Sequence, residues 1–417
     1  MNGRERLKAA LNHRQPDRAP IDLGSCGQTG IHASTMYRLR EALGLPQKPV
    51  KIIEPFQMLG EVDEDLRQAM GVDVIGLWGT GTMFGYKNEN WKSWTMFDGT
   101  PVLMGGGFEC DVGENGDVYV YPCGNRNVNY SMRMPIGGHF FENIERSPEV
   151  DENNLTPLED FKNDYKLASD EEAMHWEKES IRLYEGTDYG IIGNAGGAGF
   201  GDMAWLAGPF LENPKGIRTL EGWLAAHILY PDYITEIFIY QLDIALKNLE
   251  MYRQAVGDRI QVVWLSGTDY GTQNSCFLSP EIFREMYKPF YQKINNWVHK
   301  NTGWKTFYHT CGAIEPLLND FIEMGVDIIN PVQCSAKGMD AQTLKEKYGA
   351  DLVFWGGGVD TQSVMPYGTP AEVSAQVKER LDIFSQDGGY VFSPIHNLTP
   401  NIPIENIISM LEAVKII

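Results

Sequence analysis

The sequence predicts a (β/α)8 TIM barrel with a β-rich insertion after an early strand, on three observations. Its second half alternates apolar strand-like runs with amphipathic helical patterns, as parallel βα units do. Three more strand-like runs precede that alternation and bring the total to eight. Ligand-type and polar side chains gather just beyond the strand ends, where an α/β fold displays its chemistry.

The early runs are PIDLGSCG (20–27), VDVIGLWG (72–79) and YGIIGNAGG (189–197). The later ones cover 260–267, 304–312, 326–333, 351–358 and 389–396. Helical patterns lie between the later runs at 280–300, 313–325, 340–349 and 370–389, and before them at 173–186, 220–228 and 232–255. Ser279-Pro280 and Thr369-Pro370 are start signals; Gly325, Gly349 and Gly388 are stop signals. Residues 80–145 break the rhythm. They hold a hairpin signal in FECDVGENGDVYVYPCG (108–124), where Glu114-Asn115-Gly116-Asp117 separates two alternating runs. The expected organisation is one barrel domain over 1–417, with 80–145 as a β-rich excursion walling the catalytic mouth. A polar surface linker follows at 145–172.

A chain of 417 residues with 43% hydrophobic residues has material for a sizeable core. Acidic residues outnumber basic ones 56 to 35, a net charge of -21 that repels phosphate backbones and anionic lipid, so nucleic acid is an unfavoured partner. The sequence has neither a membrane-length apolar run nor a signal-peptide core at its start, and the expected location is the cytoplasm. Self-association is left open. Six cysteines are too sparse for a disulfide scaffold.

His309 and Cys311 stand two residues apart at the end of the run 304–312, so their side chains project to one face. Cys334 lies just past the next run, and sequential βα units usually place such strands side by side. Thiolate and neutral imidazole are the normal partners of zinc, and three protein ligands leave one position open, the pattern of a catalytic site. Water, a substrate atom, His396, Asp269 or Glu315 are the candidates for the fourth position. Asp269 in TDYGTQ is also a candidate substrate, proton-relay or orienting group, and Gln333 a neutral hydrogen-bonding group. Gly356, Gly357 and Gly358 make a rim without side chains, where a cofactor could approach the backbone at Gly357 and Gly358. His396, in SPIHN at the end of the last run, is a candidate substrate or metal contact. Trp78, Trp205 and Trp355 are expected as wall or core residues.

Three stretches carry a resemblance: NGRERLKAALNHRQPDRAPIDLG; SGTDYGTQ with LSPEIFREMYKPFYQKI; and HTCGAIEPLLNDFIEMGVDIINPVQ with KGMDAQTLKEKYGADLVFWGGGVDTQSVMPYGTPAEV. Together they resemble the uroporphyrinogen decarboxylase superfamily, which implies the barrel and two chemistries. The decarboxylase branch carries Arg-Gln-Ala-Gly-Arg after its first strand for the tetrapyrrole carboxylates. This chain has Gly24-Ser25-Cys26-Gly27-Gln28-Thr29-Gly30 there, without an arginine. Asp73 would echo the decarboxylase aspartate. The methyltransferase branch has His-x-Cys followed much later by a cysteine. His309 and Cys311 match its first two members, and either Cys334 or His396 completes the set. The resemblance thus implies a zinc-dependent methyltransferase, closer to that branch than to true uroporphyrinogen decarboxylases. It would move a methyl group between a small methylated substrate or thiol and a corrinoid. The corrinoid would sit on a separate protein, because the chain has no Asp-x-His-x-x-Gly motif. Decarboxylation of uroporphyrinogen or a smaller carboxylic acid is the alternative.

Overall fold

Short apolar runs, all but the first followed directly by helical segments, build the centre of the molecule. The computed structural model describes residues 1–149, 151 and 154–415. Among them, seven parallel strands pair in chain order: β1 (Val74–Leu77), β2 (Gly190–Asn194), β3 (Val262–Ser266), β4 (Lys305–His309), β5 (Ile328–Asn330), β6 (Val353–Trp355) and β7 (Tyr390–Val391). Side chains alternate across this sheet. Val74, Ile192, Val262, Phe307, Ile328, Val353, Trp355 and Val391 meet in one buried cluster on its concave side. Ile191, Val263, Tyr308, Ile329, Phe354 and Tyr390 face the other way into the larger core. Both faces are buried, hence the continuous apolar runs.

The sheet is strongly curled and nearly closed. The expected eighth strand at 20–27 is reduced to a parallel bridge between Ile21 and Phe392. Phe392 N–H donates to Pro20 O (2.8 Å), Asp22 N–H to Phe392 O (2.9 Å) and Asp73 N–H to Ile21 O (2.8 Å), so residues 20–22 lie between β7 and β1. They do not extend further because Asp22 folds the chain back. Its carboxylate accepts from Ser25 N–H (3.1 Å) and Ser25 Oγ–H (2.7 Å), and Gly24 takes φ +100°, a conformation open to glycine. The helix Gly3–Leu11 seals the N-terminal end: Leu7 and Leu11 enter the concave cluster, and a Cβ on Gly190 would fall 2.3 Å from Leu7. At that same end Asp73 accepts from Arg6 Nη1 (2.5 Å), Arg18 Nη1 (2.6 Å) and Ile21 N–H (2.9 Å).

The helices differ from the sequence pattern where proline intervenes. The pattern at 280–300 is two helices, Pro280–Met286 and Lys288–Asn301, since Pro289 has no N–H to continue the ladder. Capping boxes start the helices Asp170–Gly186 (Ser169 with Glu172) and Pro370–Phe384 (Thr369 with Glu372). The first begins three residues before the apolar periodicity does. The hairpin expected at 108–124 is present, with Cys110–Val112 antiparallel to Val118–Val120, followed by Met132–Met134 and Glu142–Asn143. The strands Lys92–Thr95 and Pro101–Met104 instead join Val50–Glu54 and Leu59–Gly60, drawing residues before 80 into the β-rich region. No helix among the described residues is long and apolar enough to cross a membrane.

His32 caps the helix Ala33–Ala42. Its Nδ1 accepts from Ser34 N–H (3.2 Å), which leaves Nε2–H to donate to His139 O (3.0 Å). Burial lowers its pKa to about 4, so the folded protein holds it neutral. The unfolded imidazole protonates near about 6.5, so this stability is full above that pH and drains away as pH falls towards the folded pKa. We expect a loss of about 2 kcal/mol at pH 5 relative to pH 7. Urea midpoints at the two values check it. His32→Asn, which retains a capping oxygen, should flatten the difference.

Candidate metal centre

Alternation along β4 decides which residues meet at the C-terminal mouth. Phe307 faces the concave side, so His309, two residues on, faces it too. Asn330, the register partner of His309 on β5, follows Ile328 by the same parity. His309 Nδ1 lies 2.6 Å from Asn330 Oδ1, and Asn330 Nδ2 donates to Trp355 O (2.8 Å). With its amide nitrogen thus committed, Asn330 presents oxygen to the ring, which places the His309 proton on Nδ1 and the lone pair on Nε2. That nitrogen faces Cys311 Sγ at 3.4 Å and Asp269 Oδ1 at 3.7 Å. His396 stands edge-on to His309, ring centroids 5.2 Å apart, at the end of the segment after β7 and with φ +72°. One ligand atom from each of His309, Cys311 and His396 lies within 4.8 Å of the others, close enough to share a metal ion.

The surroundings favour the ligating forms of the imidazoles. Burial lowers the pKa of both histidines, His396 to about 3 with help from neighbouring His309, while the Asp269 charge partly opposes the shift at His309. Both rings are therefore neutral. Burial pushes the Cys311 thiol well up, as does Asp269 beside it, so thiolate there calls for a cation. Asp269, 42% exposed, accepts the Cys311 N–H (2.7 Å) and holds that backbone in place.

Cys334 is not in this group. Gln333 accepts from Gly312 N–H (2.8 Å) and donates to Gln273 Oε1 (2.9 Å), while Cys334 follows in a turn beyond the end of β5, after Val332 at φ +58°. Cys334 is packed against the outer core, its thiol raised to about 12 by burial, with Arg380, Asp340 and Asp360 as its charged surroundings. Glu315 accepts from Tyr348 (2.8 Å) and Lys347 (3.1 Å). Gly357 and Gly358 are buried. A Cβ on Gly358 would strike Phe392 at 2.4 Å, and one on Gly357 would meet Val332 O at 3.2 Å, so neighbouring chain fills the space expected of a bare rim. Trp355 is fully buried in the concave cluster, its Nε1–H donating to Asp22 (2.9 Å), whereas Trp205 is exposed.

Two contributors escape a reading of the sequence. Asn330 is visible only once the register of β4 and β5 is known. Asp202, in the glycine-rich loop after β2, has its carboxyl raised to about 7 by burial and by the charge of Asp269; its Oδ1 accepts Ala204 N–H (3.0 Å). Asn330→Ala frees the His309 ring and should weaken zinc binding roughly 10–100-fold, read by competition with a chromophoric chelator.

The family model for uroporphyrinogen decarboxylase (URO-D) matches residues 144–417. Among solved structures, a methyltransferase from Methanosarcina mazei aligns over 100% of this chain and 98% of its own, with a TM-score of 0.53 and 17% identity, a likeness of fold. Comparison with curated proteins gives no match. The matched span contains β2 to β7 with His309, Cys311 and His396, and on it the chain belongs to the uroporphyrinogen decarboxylase family.

Proposed function

We propose that the chain is a zinc-dependent methyltransferase that exchanges a methyl group between a small methylated substrate or thiol and a corrinoid carried by a separate protein. The observation that carries this reading is the convergence of His309, Cys311 and His396. Two neutral imidazoles and one thiol suit zinc. When bound, the ion supplies Lewis acidity, lowering the cost of negative charge on the sulfur, oxygen or nitrogen that gains or loses the methyl group. The protein's part is alignment. Asn330 fixes the His309 ring, Asp269 fixes the Cys311 backbone, and Gln333 ties Gly312 to the loop at Gln273. Asp269, with Oδ1 3.7 Å from the His309 nitrogen, would be the carboxylate to complete the ligand set when no substrate atom does. In this proposal residues 20–22 complete an eight-membered barrel. Residues 80–145 wall its mouth, held to the loop after β2 by Asn143 donating to Ala204 O (3.1 Å) and Cys123 to Phe210 O (3.2 Å).

The comparisons lean towards the second reading, decarboxylation, because the matching family model is the decarboxylase's. Two observations weigh against it. Residues 24–30 carry no cation for a polycarboxylate. Asp73 sits at the N-terminal end of β1, bound by two arginines, away from the mouth where the other strand ends converge.

The deciding experiment offers zinc-loaded protein methylcobalamin with a panel of small thiols and, separately, uroporphyrinogen. Loss of the methylcobalamin spectrum that stops on chelation and returns with zinc is expected. A chelator-insensitive release of carbon dioxide from uroporphyrinogen, with no demethylation, would overturn the proposal.

A further inference from the structure

The ring of His309 is oriented by Asn330, but no hydrogen bond among the described residues fixes the imidazole of His396, the distant member of the cluster. Its backbone therefore decides where that ring stands. The backbone is strained: φ +72° lies in the left-handed region, which a residue with a side chain keeps only where its surroundings hold it.

The holding groups lie on both sides. Before His396 the chain runs beside the segment that follows β6. Gly358 N–H donates to Ser393 O (3.0 Å), Ile395 N–H to Val359 O (2.9 Å) and Thr361 Oγ–H to Ile395 O. After His396 the chain runs beside residues 27–31 instead, with Leu398 N–H donating to Gly30 O (3.0 Å) and Leu398 bridged to Ile31. His396 is thus the pivot between two partners. Asn397, 4% exposed, fastens the second of them. Its Oδ1 accepts Gly30 N–H (2.6 Å), and its Nδ2 donates to Gly27 O (3.0 Å) and to Gln57 Oε1 (2.9 Å).

We propose that Asn397 is the positioning residue that delivers His396 to the metal, by tying the pivot to the loop at residues 27–30. The assignment rests on the metal-centre reading above. Without this amide three hydrogen bonds are lost, and the His396 backbone relaxes towards the negative φ open to any side chain, carrying the ring away from His309 and Cys311. Residues that orient a ligand in this way are worth about 10–100-fold in metal affinity.

The test is the zinc affinity of the full chain, measured by competition with a chromophoric chelator alongside thermal melts. Asn397→Ala should weaken binding about 10–100-fold. In a His396→Ala background the same change should alter the affinity by no more than about twofold, because the ligand it serves is already gone. Cobalt(II) in place of zinc should show altered ligand-field bands in Asn397→Ala with the Cys311 thiolate band retained. Gln57→Ala removes one of the three bonds and should weaken zinc binding about 2–10-fold; should Asn397→Ala fail to fold, Gln57→Ala takes its place in both backgrounds. A folded variant with wild-type affinity, or an equal loss with and without His396, would overturn the assignment and leave the metal centre standing. A wild-type chain that binds no zinc would overturn both.

Discussion

Cys311→Ala and His396→Ala protein should emerge from purification nearly free of zinc, while Cys334→Ala retains about one ion per chain, as a three-ligand site requires. The difference follows from placement: Cys311 and His396 share a 4.8 Å neighbourhood with His309, and Cys334 faces the outer core. Each removed ligand takes a metal–donor bond with it, so the loss should exceed the roughly 10–100-fold expected when only the supporting Asn330 is removed. Methyl transfer should fall with zinc content. Metal analysis of the three variants, alongside thermal melts to show that each is folded, checks the expectation. Zinc kept by Cys311→Ala, or lost from Cys334→Ala, would place the ligands elsewhere.

Asp73→Ala should destabilise the protein by about 3–5 kcal/mol, the usual consequence of leaving a buried ion pair without one partner. Asp73 has a side chain only 5% exposed and neutralises Arg6 and Arg18, whose side chains are 10% and 23% exposed. It also accepts the N–H of Ile21, the residue that bridges to Phe392 across the gap in the sheet. Removing it leaves Arg18 without its carboxylate and Arg6 with only the half-exposed Asp17, and loosens the segment between β7 and β1. Denaturant midpoints measure the effect. A catalytic carboxylate would behave differently, with Asp73→Asn keeping the midpoint and losing turnover; that outcome would restore the decarboxylase reading.

Much of the architecture is legible in the chain because parallel strands buried on both faces must be continuous apolar runs. All seven strands fall inside expected runs, and Gly325, Gly349 and Gly388 mark chain reversals near helix ends. The run at 20–27 was apolar enough to count as an eighth strand, yet the Asp22 turn ends it after a bridge. Nothing in a hydrophobic pattern reports that a carboxylate will capture Ser25. Similarly, the strand Val50–Glu54 pairs with Pro101–Met104 across an unrelated stretch of chain, a partnership that local periodicity does not encode.

The nearness of His309 and Cys311 was legible in the sequence: ligand-type residues at i and i+2 by a strand end are expected on one side, and their ligand atoms do lie together although the strand itself stops at His309. The third member was decided only by the tertiary structure. Cys334 is nearer in the chain, but β5 ends at Asn330 and the turn that follows, through Val332 at φ +58°, leaves Cys334 packed against the outer core. His396 is 87 residues beyond His309 and arrives because the curled sheet brings the end of its last strand over the mouth. Spacing along a strand fixes direction; only closure of the sheet fixes which distant strand ends become neighbours.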